Sequence, residues 1–347
     1  MLCPPYAQWS AHGLLRYFQT RQHVHYFALR DEEQASQSKV NAILENRFEY
    51  NDEAYYLVPG FDWTANPSAD VEWLILLHKF YFAVGLGEDY VNTGDPRLAQ
   101  KWVELTEAWI DNVPLDFLSS DVTGRRVQNW IFAHHYFVNS DYVLNLPAGA
   151  KQPTTPGLTP VFHQKFLRSL HQQVDFLCHN LTPARNHRTI ELYAIFMAAV
   201  VFPEFADAAD WLDFVKAELV QNIQADLRAD GVHCEQSIDY HHLVVKNYLG
   251  VKRLATANGI EVPQGTTFYK GLGCSNCLGS GFAGRMPIFE VMTVTPELAI
   301  AIEAKMPAGK LREIAVKQGM QELRGSGFDA VLAGRTTLEE VYFKTSS

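Results

Sequence analysis

The chain is short of cysteine, of positive charge and of long apolar runs. Five cysteines at scattered spacings in 347 residues are not a disulfide framework. The net charge is −10, with acidic residues spread along the chain, which argues against nucleic acid as a partner. No apolar run approaches the length needed to span a bilayer, and residues 71–87, for example, are broken by Glu72, His78 and Lys79.

Two further signals are missing. The N-terminus lacks a basic segment followed by an apolar one, so it does not read as a signal peptide, and the chain as written is predicted to stay in the cytoplasm. No GxxxxGK[ST] loop is present, because Gly309-Lys310-Leu311 lacks both the glycine spacing and the hydroxyl. ATP hydrolysis is therefore not expected.

What the chain does contain, from about Trp63 to Gly259, is one helical pattern after another. Apolar residues recur at i, i+3, i+4 and i+7, and alternating strand patterns are scarce. Asp95 and Pro96 are a typical N-cap and first residue of one helix, and Asn258-Gly259 is a stop signal for the last. Successive helical hairpins with aromatic faces indicate an α/α stack, a toroid or a solenoid, and the lack of a fixed-period repeat disfavours a regular solenoid.

The pattern changes after residue 259. Glycine and β-formers dominate residues 260–294, and three short helical segments follow. The predicted fold is therefore mainly α: an incomplete α/α toroid over residues 1–262, then a small α+β, zinc-module-like segment over residues 263–347.

Two stretches carry candidate chemistry. PARNHRTIELY places Asn186 and His187 at the start of one predicted helix, and DGVHCEQSIDYHH places Tyr240, His241 and His242 at the start of a later one. Helix N-termini present free N–H groups and favour anions. The alternatives are an N-cap role for Asn186, a surface role for His187 and aromatic packing for the Tyr-His-His run.

Residues 30–262 resemble the heparinase II/III-like polysaccharide lyases. The stretches that carry the resemblance are ILENRFEYN, FDWTANPSADVEW, YVNTGDPRLAQKWVELTEAWI, GRRVQNWIFA, NHRTIELYAIFMAAVVFPEF and DGVHCEQSIDYHH. Members of that family have an N-terminal α/α toroid and a C-terminal antiparallel β-sheet domain. Most of them act on uronic-acid polysaccharides such as heparan sulfate or alginate.

The resemblance implies β-elimination across C4–C5 of a uronate, without a required cofactor. Asn186, assisted by His187 and His241, would stabilise the negative charge that develops on the substrate carboxylate. Tyr240 would act as general base, general acid or both. Arg126 and Trp130 are candidates for binding sugar by ion pairing and stacking, with a core tryptophan as the alternative for Trp130.

One departure bears on activity. The family takes a further catalytic histidine from beyond the tyrosine, and no histidine follows His242. The later toroid helices and the β-sheet domain are also not evident. The resemblance therefore predicts the residues of a lyase whose activity is in doubt.

The pair Cys274 and Cys277 lies in a glycine-rich CxxC, for which a zinc half-site, a redox pair or a turn with free thiols are all open from spacing alone. FYKGLGCSNCLGSGFAGRMPIFEVMTVTPELAIAI and GMQELRGSGFDAVLAGRTTLEEV resemble the C-terminal end of type II secretion and type IV pilus assembly ATPases, over about residues 268–341. There the CxxC is the second half of a four-cysteine zinc motif. The first half is not found, so zinc would meet an incomplete site.

The sequence is thus predicted to be a hybrid that joins near residues 259–268. Three hypotheses about function follow. The chain is a polysaccharide lyase-like enzyme, a module that associates with secretion or pilus machinery, or a hybrid with no function.

Overall fold

Helices form most of the structure over the residues that the computed structural model describes, which are 1–25, 36–139, 157–226, 234, 238–262, 275, 286–332 and 334–345. The chain divides into two compact units, Met1–Asp226 with His233–Val262 and Leu227–Val232 with Pro263–Ser347. None of the helices in the described ranges combines the length and apolarity that a bilayer crossing requires.

The first unit consists of helices and one short hairpin. Its elements are α1 (Ala11–Thr20), α2 (Gln37–Leu44), β1 (Arg47–Tyr50), β2 (Glu53–Tyr56), α3 (Val71–His78), α4 (Tyr81–Thr93), α5 (Pro96–Asn112), α6 (Ser120–His134), α7 (Pro160–His179), α8 (Arg185–Val201), α9 (Ala208–Asp226) and α10 (Ile238–Ala257). The predicted series of helices is confirmed. Asp95 caps α5 by accepting a hydrogen bond from the Arg97 N–H, and α10 ends before Gly259, whose φ is +65°.

Helix α8 is the centre of the unit. Every residue from Thr189 to Val201 is buried, so this part of the helix has no solvent face. Helix α9 runs antiparallel to it, because the Arg185 N–H binds Asp226 and Thr189 contacts Asn222. Helix α6 runs parallel to it, and helices α6, α9 and α10 all pack on α8. Here α6 and α8 are parallel inner helices and α9 is an antiparallel outer helix, which is the arrangement predicted for an α/α stack.

The apolar stretch of residues 71–87 falls in two helices, α3 and α4, where its apolar period indicates one. Phe80 has a φ of +60°, a left-handed conformation that interrupts the helix between α3 and α4. Its fully buried ring packs against Trp63, Phe82 and Trp130. Tertiary packing holds this break, and the sequence carries no glycine or proline there to reveal it.

The two strands form an antiparallel hairpin in which Arg47 is opposite Tyr56 and Tyr50 is opposite Glu53. The turn residues Asn51 and Asp52 have φ values of +50° and +62°, as a two-residue type I′ turn requires. The hairpin packs on the helices through Phe48, whose buried ring contacts Phe82.

The second unit contains four short helices among its described residues, α11 (Pro296–Glu303), α12 (Ala308–Lys317), α13 (Leu323–Leu332) and α14 (Leu338–Thr345). The third predicted segment is thus two helices, separated near Gly334, whose φ is +68°. No strand forms within 286–332 and 334–345, although the β-formers there predicted an α+β module. Residues 286–294 are irregular and mostly exposed.

Candidate functional site

The N-terminal ends of the inner helices meet at one end of the first unit. Asp121 in the first turn of α6 lies beside His187 in the first turn of α8, and Gly124 packs one turn further on against Glu191. The contact positions advance in the same direction along α6 and α8, so the two helices are parallel and their N-termini lie side by side.

Helix α10 has the same direction as α8. Asn222 of α9 bridges Thr189 and Tyr248, and one turn further along α8 the ring of Tyr193 lies against Gly250. Since both contact positions advance in the same sense, the start of α10 lies at the same end as the start of α8. Tyr240 is the third residue of α10.

Asn186 is buried at the second position of α8, and its exposed fraction is 5%. The N-cap position belongs to Ala184, which makes no side-chain cap hydrogen bond, so the alternative that Asn186 is merely the N-cap does not hold. Arg185, directly before it, has a φ of +78°, which is unusual for a non-glycine residue. The Asp226 carboxylate, itself buried, accepts a 2.8 Å hydrogen bond from the Arg185 N–H and holds this conformation.

His187 projects outward from the next position. About half of its side chain is exposed, and its Nδ1 lies 3.9 Å from an oxygen of Asp121. That separation is too long for a hydrogen bond but places a carboxylate next to the imidazole.

The Tyr240 side chain is 46% exposed, so solvent or a ligand can reach it. His241 follows it within α10, and nothing is described of the His241 side chain. The structure thus places Asn186 and His187 at the start of α8 and Tyr240 at the start of α10, at the same end of the first unit.

The Glu191 carboxylate, which is not among the residues predicted from the sequence, holds the start of α6 and the segment before α8 in place. Glu191 is fully buried and accepts hydrogen bonds from Ser120 Oγ (2.7 Å), Thr182 N (2.8 Å) and Thr182 Oγ1 (2.5 Å). Burial raises the pKa of Glu191, and these hydrogen bonds partly offset the shift. The signal for it in the sequence was an acidic residue inside the apolar run of residues 190–201.

The predicted sugar-binding pair lies elsewhere, and this prediction needs correction. Trp130 is fully buried and stacked on Phe166, so it is a core tryptophan, which was the alternative interpretation. Arg126 is 2% exposed, donates to Gln173 Oε1 at 2.7 Å, and has its guanidinium carbon 4.0 Å from the centre of the Trp109 ring. Burial lowers its pKa to about 9. Neither side chain offers a surface to a sugar.

Cys274 and Cys277 lie outside the described residues. Across the described ranges, no group of three or more His, Cys, Asp or Glu side chains is arranged to hold a metal ion.

The first unit is thus an α/α-helical fold in which the starts of α8 and α10 carry the Asn186 amide, the His187 imidazole and the Tyr240 phenol. These are functional groups suited to acid–base chemistry. Residues 6–272 match the model of the Heparinase II/III N-terminus family, and the chain belongs to that family. Residues 226–343 match the Type II/IV secretion system protein model. The two matches overlap over residues 226–272, where the predicted join lies. Both resemblances are thereby confirmed.

Curated relatives come from both groups. The heparin-sulfate lyase of Pedobacter heparinus is 32% identical over 213 residues, 58% of this chain and 30% of the relative. That of Bacteroides thetaiotaomicron is 26% identical over 277 residues, 73% of this chain and 37% of the relative. The type IV pilus assembly ATPase PilB of Thermus thermophilus is 45% identical over 82 residues, 24% of this chain and 9% of the relative. The chain thus spans only 30% and 37% of the length of these two lyases and 9% of the ATPase.

Solved structures agree on the fold of the first unit. A crystal structure of heparinase III superposes with a TM-score of 0.62 at 23% identity, over 73% of this chain and 40% of the other. A mutant of the heparan sulfate lyase HepC from Pedobacter heparinus gives a TM-score of 0.57 at 24% identity, over 72% of this chain and 41% of the other. At these identities the likeness establishes the helical fold.

Proposed function

We propose that the first unit carries a polysaccharide lyase site for β-elimination on uronic-acid polymers of the heparan sulfate type. The observation that carries the proposal is the position of Asn186, buried at the start of α8 after a strained Arg185 that Asp226 holds in place. Strained backbone held by a buried carboxylate is characteristic of functional sites. The names of the lyase relatives support the substrate class.

In this scheme Asn186 donates its amide N–H to the uronate carboxylate. The C5 proton is poorly acidic while that carboxylate is fully charged, so a fixed donor is needed as charge moves onto it. His187, which lies next to Asp121 and is half exposed, is the second donor. The N-terminus of α8 adds its partial positive charge at the same place.

Tyr240 is the group that moves the proton, and His241 is a further donor to the uronate carboxylate. The Tyr240 phenolate takes the C5 proton, and the electron pair of the broken C5–H bond moves onto the carboxylate. The C4=C5 double bond then forms as the C4–O bond breaks, and the neutral Tyr240 phenol gives its proton to the leaving oxygen, which restores the phenolate. Its 46% exposure makes the hydroxyl accessible to a polymer at the surface. No metal or organic cofactor enters these steps.

The test is the ultraviolet absorbance of the unsaturated uronate product, measured on heparan sulfate, alginate and other uronate polymers. We expect Tyr240→Phe and Asn186→Ala each to remove product formation. The matched control is Tyr56→Phe, because Tyr56 is a 65% exposed tyrosine on the β-hairpin. Product formed at the same rate by Tyr240→Phe, or no product from any polymer with the unchanged chain, would contradict the proposal.

A second candidate function concerns the second unit. Phe289, Val291, Met292 and Val294 are between 44% and 69% exposed in an irregular segment. Clustered exposed apolar side chains are typical of interaction surfaces. We infer that this unit associates with secretion or pilus components, as the relatives of that segment suggest. Capture of such components should be lost in Phe289→Ser/Val291→Ser, and capture that is unchanged rejects the idea.

A further inference from the structure

A cluster of aromatic rings lies on the N-terminal segment, away from the candidate site. Tyr6, Trp9 and Tyr17 contact one another, with ring centroids 4.9 to 5.3 Å apart. Trp9 is 38% exposed, and the two tyrosines are partly exposed. We call these three residues the aromatic cluster.

The helical framework holds the cluster in place. The Tyr17 hydroxyl donates a 2.6 Å hydrogen bond to Glu204, and Arg21 makes two further bonds to the same carboxylate. The Cys3 N–H donates to the Glu204 backbone carbonyl. The rings are therefore fixed before any ligand arrives, which lowers the entropic cost of binding.

The cluster and the candidate active site lie at opposite ends of α8. Arg21 donates to the carbonyl of Val201, the last residue of that helix, whereas Asn186 is its second residue. A helix of 17 residues is about 25 Å long at 1.5 Å per residue. A ligand on the cluster is thus separate from one at the candidate active site.

The N-terminal segment that carries the cluster has a charge balance opposite to that of the whole chain. Residues 1–30 contain three arginines and three histidines but no aspartate or glutamate, in a chain of net charge −10. Arg16 is exposed on α1, and the exposed ring of His23 lies 3.4 Å from the Tyr17 hydroxyl. The carboxylate of Glu204 is buried and paired with Arg21, so it does not offset these groups.

We propose that the aromatic cluster is a second binding site, for an anionic polysaccharide. The apolar C–H face of a pyranose packs on the exposed Trp9 ring, and Arg16 pairs with a carboxylate or sulfate of the polymer. This site takes no part in chemistry. It goes beyond the proposed lyase function, because it holds polymer at the opposite end of α8 from Asn186.

Affinity electrophoresis of the full chain in native gels tests this site. Gels would contain heparan sulfate, alginate or, as a neutral polymer, dextran. We expect both anionic polymers to retard the chain, and Trp9→Ala to raise the dissociation constant about tenfold, the change that 1.4 kcal/mol of lost contact produces. The matched control is Tyr56→Ala, which removes an exposed aromatic ring outside the cluster and should bind like the unchanged chain.

Arg16→Gln is a second variant that keeps every ring and should weaken retention by the anionic polymers alone. Undiminished retention of both Trp9→Ala and Arg16→Gln would overturn the proposal, as would equal retardation by dextran. Tyr240→Phe separates this site from the lyase proposal, because it should abolish product and leave retention intact. Retention that falls in Tyr240→Phe but not in Trp9→Ala would place the binding at the other end of α8 and overturn the inference.

Discussion

Replacing Gly124 with alanine should destabilise the first unit, although alanine is the better helix former. A Cβ at this position would lie 3.0 Å from Glu191 Cα and 3.2 Å from Glu191 N. These are backbone atoms of a buried helix, so they cannot swing aside as a side chain would. Helices α6 and α8 would have to separate by about 0.5 Å to reach ordinary contact distance.

The net cost can be worked from two opposing effects. Forcing extra volume into a packed interface costs about 1–3 kcal/mol. The higher helix propensity of alanine returns about 0.5–1 kcal/mol. We therefore expect Gly124→Ala to lower the free energy of unfolding by about 1 kcal/mol, near the middle of a range from about 0 to 2.5 kcal/mol.

Urea unfolding followed by tryptophan fluorescence measures this effect. All seven tryptophans lie between residues 9 and 211, so their fluorescence reports the first unit. Gly309→Ala is the control, because Gly309 sits in α12 with nothing within 4 Å of the added methyl, and it should leave the tryptophan transition unchanged. A midpoint for Gly124→Ala equal to or above that of the unchanged chain would refute the reasoning.

Two further predictions concern buried charge. Arg21→Met should lower the free energy of unfolding by about 3–5 kcal/mol, because it leaves the buried Glu204 carboxylate without its cation. Adding Glu204→Gln to this variant should recover a large part of the lost stability in a double-mutant cycle. Equal stability of Arg21→Met and the unchanged chain would contradict this prediction. Burial lowers the pKa of His78 to about 4, so the unfolded state binds the proton more tightly and stability is lost as pH falls from 6.5 toward 4, by up to about 3 kcal/mol. His78→Gln should remove that share of the acid sensitivity seen in urea titrations, whereas replacing the exposed His179 should not.

Much of the fold could be predicted because helix signals are local. The apolar period, the Asp95-Pro96 start and the Asn258-Gly259 stop each involve a few neighbouring residues, and the structure has helices where they indicate them. The break at Phe80 could not be predicted. Its left-handed conformation is held by rings from distant parts of the chain, which no local pattern contains.

The candidate site divides in the same way. The sequence by itself determined which functional groups are available, and the placing of Asn186, His187 and Tyr240 at helix starts, because a helix terminus can be read from its neighbours. It could not tell a buried Arg126 from an exposed one, since both patterns place an arginine beside apolar residues on a helix.

Only the tertiary structure decided that Arg126 and Trp130 belong to the core, and that Glu191 and Asp226 hold the helix starts. Which helix ends are level, and which carboxylate meets which N–H group, depend on the packing of helices that are far apart in the chain. The reason is physical: hydrogen-bond geometry and burial are properties of pairs of elements, whereas periodicity and capping are properties of one.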